Sequence, residues 1–187
     1  MENTLPFERI LPSESPLSAD VIIIKYPQIT YIFDVGESDE AYNAINNIEG
    51  NKAVIISHFH RDHSFNLSRL DIKTIYGSKE TLRHTKRGNL VKDVVKLEDD
   101  LFIIPLPSSH CKGCLALLYK DYLFVGDALY PGGKMNEETF NPQILDNTIK
   151  TLEDLDFKFF GISHRKMFVN SKEVIMAWLK YTRSHVK

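Results

Sequence analysis

The chain has 187 residues, 43% of them hydrophobic and 26% charged, with a formal net charge of −2. That is ordinary globular composition, enough to bury a full core in one domain over 1–187. It argues against a general nucleic-acid binder, which needs surplus Lys and Arg to neutralise phosphates, and no apolar run approaches the ~20 residues that span a bilayer.

The opening Met1-Glu2-Asn3-Thr4 lacks a basic stretch followed by an apolar one, so the expectation is a cytoplasmic protein without a secretion signal. Val21–Tyr26 and Ile29–Asp34 are rich in β-branched and aromatic residues and flank Pro27-Gln28, which predicts a hairpin. Ser38 is placed to cap a helix with Tyr42, Ile45 and Ile48 on one face and Gly50 at its end. Ala53–Ser57 predicts a buried strand, and another follows around Thr74-Ile75-Tyr76. Ser78 caps a short helix ending near Gly88, whose Lys79, Arg83, His84, Lys86 and Arg87 form a solvated basic face. Leu101–Ile104, Leu115–Tyr119 and Tyr122–Val125 predict an antiparallel meander, with Lys120-Asp121 as its second turn. Asn141-Pro142 starts a helix with Ile144, Leu145, Ile149, Leu152 and Leu155 on its buried face. Phe159–Ile162 is a last short strand, and Ser171 caps a closing helix in which Val174, Ile175, Trp178 and Leu179 should pack inward. Two β-rich halves, each followed by helices, imply two sheets face to face with helices outside.

Between the strand at Ala53–Ser57 and the next stands His58-Phe59-His60-Arg61-Asp62-His63, three imidazoles and a carboxylate within six residues. Imidazole nitrogen and carboxylate oxygen suit zinc and its borderline neighbours. Residues 58 and 60 share a face of an extended segment, and a bend after Arg61 would aim Asp62 and His63 at a second ion. A centre of one ion, using only some of these residues, is the smaller alternative. Two ions need about seven protein ligands, and three further candidates sit at predicted strand ends: His110, Asp127 and His164. His84 and His185 lie on basic helices and are read as surface residues. Cys111 and Cys114 form a single C-x-x-C, too few thiols for a four-cysteine zinc site. The pair precedes a strand, whereas a thioredoxin-like motif would open a helix, so small residues filling a turn is the first reading and a role beside His110 the second.

In order along the chain, Asp34-Val35-Gly36, His58-x-His60-x-Asp62-His63, His110 with Gly113, Gly126-Asp127 and His164 resemble the metallo-β-lactamase-fold hydrolase superfamily, in its glyoxalase-II-like branch. The resemblance implies an α/β fold, a four-layer αββα sandwich of two mixed β-sheets flanked by helices. It implies that His58, His60 and His110 hold one ion, that Asp62, His63 and His164 hold the other, and that Asp127 bridges them, with Asp34 steadying the ligand loop. The implied cofactors are two divalent metal ions, zinc first, with iron or manganese as the other choices.

The implied activity is hydrolysis of a small ester, thioester or lactone through a dinuclear centre and a bridging hydroxide, with Asp62 moving a proton. Asp127-Ala128-Leu129-Tyr130 resembles the Asp-x-x-Tyr of acyl-homoserine lactonases, which makes Tyr130 a second catalytic candidate. Met135 and Phe140 would form an apolar lid. The alternatives are a phosphodiesterase on a small phosphodiester and an iron-dependent redox or sulfur-metabolism protein of the same fold. Ser64-Phe65-Asn66, Cys111-Lys112-Gly113-Cys114 and Ser163-His164-Arg165 depart from the usual family loops without removing a ligand. Neither the helical domain that binds glutathione in glyoxalase II nor the inserted domain of the RNA-processing nucleases is expected. The partner is a small-molecule substrate, with no nucleic acid or membrane.

Overall fold

A computed structural model describes residues 5–133 and 139–186. Its first sheet contains β1 (Glu8–Ile10), β4 (Val21–Lys25), β5 (Thr30–Phe33), β6 (Lys52–Ile55), β7 (Thr74–Gly77) and β8 (Asn89–Leu90), adjacent in that order. Its second contains β9 (Val95–Glu98), β10 (Leu101–Leu106), β11 (Cys114–Tyr119), β12 (Tyr122–Phe124), β13 (Phe159–Gly161) and β14 (Val169–Ser171), again in sequence order. Both are mixed: β4 and β5 form the predicted antiparallel hairpin while β5 to β8 run parallel, and the β9–β12 meander meets β13 in parallel. A separate small hairpin pairs β2 (Ser13–Glu14) with β3 (Leu17–Ser18).

The apolar run of β4 shows why two sheets form. Successive strand side chains point to opposite faces. Ile22 and Ile24 therefore enter the layer between the sheets, with Phe33 and Ile55 from the first sheet and Ile103, Leu117 and Phe124 from the second. Val21 and Ile23 face outward, where Ala41 and Ile45 of α1 (Asp39–Asn46) cover them. On the far side, Ile104, Ala116, Leu123 and Phe160 meet Leu145, Ile149 and Leu152 of α4 (Pro142–Glu153) and Ile175, Met176 and Leu179 of α5 (Lys172–His185). Strands buried on both faces need continuous apolar runs rather than alternation, as in Val21–Ile24. The layers are αββα.

Ser38, Ser78, Asn141 and Ser171 each accept a backbone N–H bond as helix caps. The helix at Ser78, α3 (Lys79–Thr85), leaves Lys79, Arg83 and His84 exposed, and Lys86 and Arg87 just beyond its end are exposed too, as expected. Three expectations are corrected. Helix α1 stops at Asn46, where the Asn47 N–H bonds back to Asn43 and Ile45, and Gly50 instead serves the following turn with φ of +80°. Val174 is 63% exposed on the first turn of α5, and Met176 takes the inward position. Phe140 is partly buried against the α4/α5 core, its ring 6.1 Å from that of Trp178, so it does not lie free as a lid. The other lid residue, Met135, falls outside the described residues. Strands β1, β8, β9 and β14 were not anticipated; they are short or polar, and pairing at sheet edges makes them strands.

Candidate metal centre

Strand ends bring the candidate ligands together. Parallel pairing of β5 with β6 sets Asp34 beside Ser57, and parallel pairing of β12 with β13 sets Gly126-Asp127 beside Ser163-His164. A bond from the Leu115 N–H to the Ser57 carbonyl, 2.8 Å, ties the ligand loop of one sheet to the other. The sequence bends after His60 because a helical turn, α2 (Arg61–Ser64), starts there with His60 at its cap position. That turn swings Asp62 and His63 away from His58 and His60.

Two groups of donor atoms result. His58, His60 and His110 form one; Asp62, His63, Asp127 and His164 form the other, and within each group the donor atoms lie within 4.8 Å of one another. His60 Nδ1 is 3.0 Å from His110 Nε2. In the second group His164 Nε2 is 3.0 Å from Asp62 Oδ2, and His63 Nε2 is 3.4 Å from Asp62 Oδ2 and 3.2 Å from Asp127 Oδ2. Asp127 reaches toward both groups, its Oδ2 lying 3.6 Å from His110 Nε2. Ligands at ~2.05 Å from one tetrahedral ion stand roughly 3.3 Å apart, so these spacings are those of atoms arranged around a cation.

The buried atoms carry the same message. His58 and His63 are fully buried, yet the Nε2 of each, and Asp127 Oδ1, have no partner with hydrogen-bond geometry. Buried polar atoms are normally paired, so three orphans converging on one place fit an ion. Burial, reinforced by neighbouring imidazoles, holds His58 well below the ordinary histidine range, in the neutral form that ligates. Burial also opposes charge on His63, but the carboxylates of Asp34 and Asp127 outweigh it and hold the ring well above that range. Among protein groups alone, a proton sits where a cation would; a divalent ion can displace it. The donor set of imidazoles and carboxylates suits a divalent metal of borderline softness.

Asp34 organises the loop. It is fully buried at φ +59°, accepts from the Ser57 N–H and Oγ–H at 2.7 Å each, and accepts from His63 Nδ1 at 2.7 Å. Ser57 Oγ lies 3.0 Å from His58 Nδ1, so a single carboxylate steadies one ring from each group. Gly126 is needed because a Cβ there would stand 2.7 Å from Ser57 Oγ, at a φ of +52°.

No family model matches the chain. Over 110 residues it is 32% identical to the hydroxyacylglutathione hydrolase of Buchnera aphidicola subsp. Baizongia pistaciae (strain Bp), a stretch that takes in 54% of this chain and 43% of that protein. The match thus spans less than half the length of that curated relative. The crystal structure of ETHE1 from Myxococcus xanthus superposes with a TM-score of 0.68 at 21% identity, covering 97% of this chain and 84% of the other. The metallo-β-lactamase from Hirschia baltica gives 0.66 at 15% identity over 96% and 98% of the two chains, and the DIM-1 metallo-β-lactamase 0.68 at 16% over 96% of each. This chain has the metallo-β-lactamase fold. Its sequence likeness runs to the glyoxalase-II-like branch.

Within the metallo-β-lactamase fold, the other expectations meet the geometry as follows. Tyr130 stands at the centre's edge, its ring 6.5 Å from that of His110, but its hydroxyl donates to the Ser163 carbonyl at 2.8 Å. Cys111 and Cys114 are free thiols with Sγ atoms 3.5 Å apart; Cys114 is buried and opens β11, so the pair does fill a turn before a strand. His84 and His185 are exposed, His84 stacking flat on Phe59 at 4.5 Å.

The reading from sequence missed Asp20 and Arg9. Asp20 is 1% exposed, pairs with Arg9 at 2.6 Å and accepts the backbone N–H of His164 at 3.0 Å. His164 has a φ of +60°, uncommon for a residue other than glycine, and this bond helps hold its backbone there. The available signal was a lone carboxylate opening the apolar run Val21–Ile24, where burial without a partner would be costly.

Proposed function

We propose that the chain is a metal-dependent hydrolase of a small ester, thioester or lactone, working from two adjacent divalent ions. The observation that carries this reading is the pair of contiguous donor groups, with Asp127 reaching both and three buried polar atoms left without hydrogen-bond partners. The sequence likeness to a hydroxyacylglutathione hydrolase supports the carbonyl-type substrate.

His58, His60 and His110 would hold one ion and Asp62, His63 and His164 the other, with Asp127 within reach of both groups. Divalent ions so held supply Lewis acidity, lowering the pKa of water and polarising a carbonyl. The chain's residues supply the rest. Asp34 and Ser57 fix the rings of His63 and His58, so their Nε2 atoms point inward. Asp62 is half-buried; although burial raises its pKa, the His164 bond and the His63 ring outweigh that and hold it below the ordinary range. It therefore remains a carboxylate: Oδ2 is the oxygen grouped with the His63 and His164 nitrogens, and Oδ1 can accept a proton and return it to a leaving group. Tyr130, donating to the Ser163 carbonyl, stiffens the backbone next to His164. A cytoplasmic setting goes with this reading; among the described residues no helix is long and apolar enough to cross a membrane.

The test is metal analysis of the protein as isolated, followed by assays of that preparation on ester, thioester, lactone and phosphodiester panels. Two bound zinc or manganese ions with selective carbonyl turnover are expected. Tight iron with no hydrolysis on any panel overturns the reading in favour of an iron-dependent redox role. Turnover confined to phosphodiesters would reassign the substrate.

A further inference from the structure

A cavity of about 560 Å³ opens beside His164, the one member of the donor groups in its lining, so a molecule seated in it meets the edge of the centre at one end. Its walls differ. On one side are Leu11, Pro12 and Leu17, around the β2–β3 hairpin, with the two leucines 60% and 54% exposed. Large aliphatic side chains on a hairpin as short as this have no core to join, and an apolar ligand segment would cover them. On the other side His164 is followed directly by Arg165 and Lys166.

The charges in the cavity are not balanced. Arg9 also lines it, but its guanidinium is neutralised by Asp20 at 2.6 Å. Arg165 is half-buried and makes no ion pair among the described residues; its guanidinium lies 5.8 Å from the Tyr130 ring centre and 5.1 Å from that of Trp178. Those rings restrain the side chain without discharging it. Lys166 adds a second exposed cation, and Glu14, on the hairpin, is the one acidic residue in the lining.

We infer that this cavity seats the part of the substrate remote from the cleaved bond, and that Arg165 with Lys166 selects a carboxylate there, at the end of an apolar segment lying against Leu11 and Leu17. The inference rests on the ester-type hydrolase reading above and specifies its substrate class: anionic, medium-chain acyl compounds. A guanidinium fork matches a carboxylate in two parallel hydrogen bonds, which a neutral chain end cannot use.

The test compares two phenyl esters that differ only at the chain end, phenyl hydrogen adipate and phenyl hexanoate, with the metal-loaded protein. The kcat/KM ratio of the carboxylated over the neutral ester is expected to be about tenfold or more, the size of one charge-assisted hydrogen bond. In Arg165→Gln that ratio should fall by about tenfold, through KM, and Arg165→Lys should restore part of it. In parallel, binding of the two corresponding anilides is measured by calorimetry on the wild type and Arg165→Gln. If the esters are cleaved but the ratio is near one, or Arg165→Gln leaves it unchanged, the cavity assignment is wrong and the hydrolase reading stands. If neither ester is cleaved yet the carboxylated anilide binds about tenfold tighter in an Arg165-dependent way, the cavity assignment stands and the hydrolase reading fails for esters, its thioester and lactone forms being decided by the substrate panels above. If there is neither cleavage nor selective binding, the cavity assignment and the ester form of the hydrolase reading both fall.

Discussion

Replacing Asp34 by Asn isolates what one buried carboxylate does for the centre. The side chains are nearly the same size, and Asn tolerates the positive φ of +59° at this position. Asp34 accepts three hydrogen bonds, from the Ser57 N–H, the Ser57 hydroxyl and His63 Nδ1, each at 2.7 Å. An amide has one oxygen and one NH₂. If its oxygen stays on the Ser57 N–H, the NH₂ faces His63 Nδ1, and the ring must move its proton to Nε2 to accept. The nitrogen that should ligate is then an N–H. If the amide is flipped, NH₂ opposes the Ser57 N–H and the loop itself shifts.

Either way a hydrogen bond to a charged acceptor is lost, about 1.5–3 kcal/mol, or roughly 10- to 150-fold in affinity at the ion held by His63. The ion held by His58, His60 and His110 should weaken less, because Ser57 keeps its contact with His58 at 3.0 Å. Breaking a buried charged pair also destabilises the metal-free fold, by about 3 kcal/mol or more. The assay is calorimetric zinc titration of Asp34→Asn at a temperature where circular dichroism shows the folded state. Two sites, both within threefold of wild type, would refute the claim that Asp34 sets the His63 tautomer.

Asp62→Asn should keep the ion at His58, His60 and His110 and retain much of its metal, measured by elemental analysis, while losing most turnover; turnover within a few-fold of wild type removes Asp62 as the proton carrier. Gly126→Ala places a methyl group 2.7 Å from Ser57 Oγ at a φ of +52°, and should cost about 2–4 kcal/mol in a urea melt. Asp20→Asn weakens the acceptor of the His164 N–H and leaves the Arg9 charge without its partner, so it should lower stability by about 1–3 kcal/mol and loosen the second ion. Equal affinity for two ions in that variant would show that His164 keeps its backbone without Asp20. In the metal-free chain, carboxylates hold His63 and His164 above the ordinary histidine range despite burial, so loading must displace protons. Metal affinity should therefore fall as pH drops through and below those raised values, and titrations in buffers of differing ionisation enthalpy should report proton release.

Some of this protein could be read without coordinates because the physics involved is local. Helix caps at Ser38, Ser78, Asn141 and Ser171 act within three residues, and β-branched runs such as Val21–Ile24 declare buried strands by composition alone. The hexad His58–His63 is likewise a local density of ligating groups, and the strand-end positions of His110, Asp127 and His164 followed from the predicted elements. Where local reasoning failed, a neighbour distant in sequence had decided the outcome. Val174 fits a helical apolar pattern but lies 63% exposed, since α5 turns Ile175, Met176 and Leu179 inward. Strands β8 and β14 exist because a sheet edge was there to pair with them.

The centre divides along the same line. Which side chains can bind a cation is a property of residue type, so sequence determined the donor set. Which donors share an ion, and what holds them, depends on contacts spanning much of the chain: Asp34 with His63, Asp20 with His164, and the Leu115 N–H with the Ser57 carbonyl. The unbalanced cations of Arg165 and Lys166 acquire a meaning only because folding sets them across one cavity from Leu11 and Leu17. Sequence specifies chemistry one residue at a time, whereas burial and direction, which turn that chemistry into a site, exist only once the two sheets close on each other.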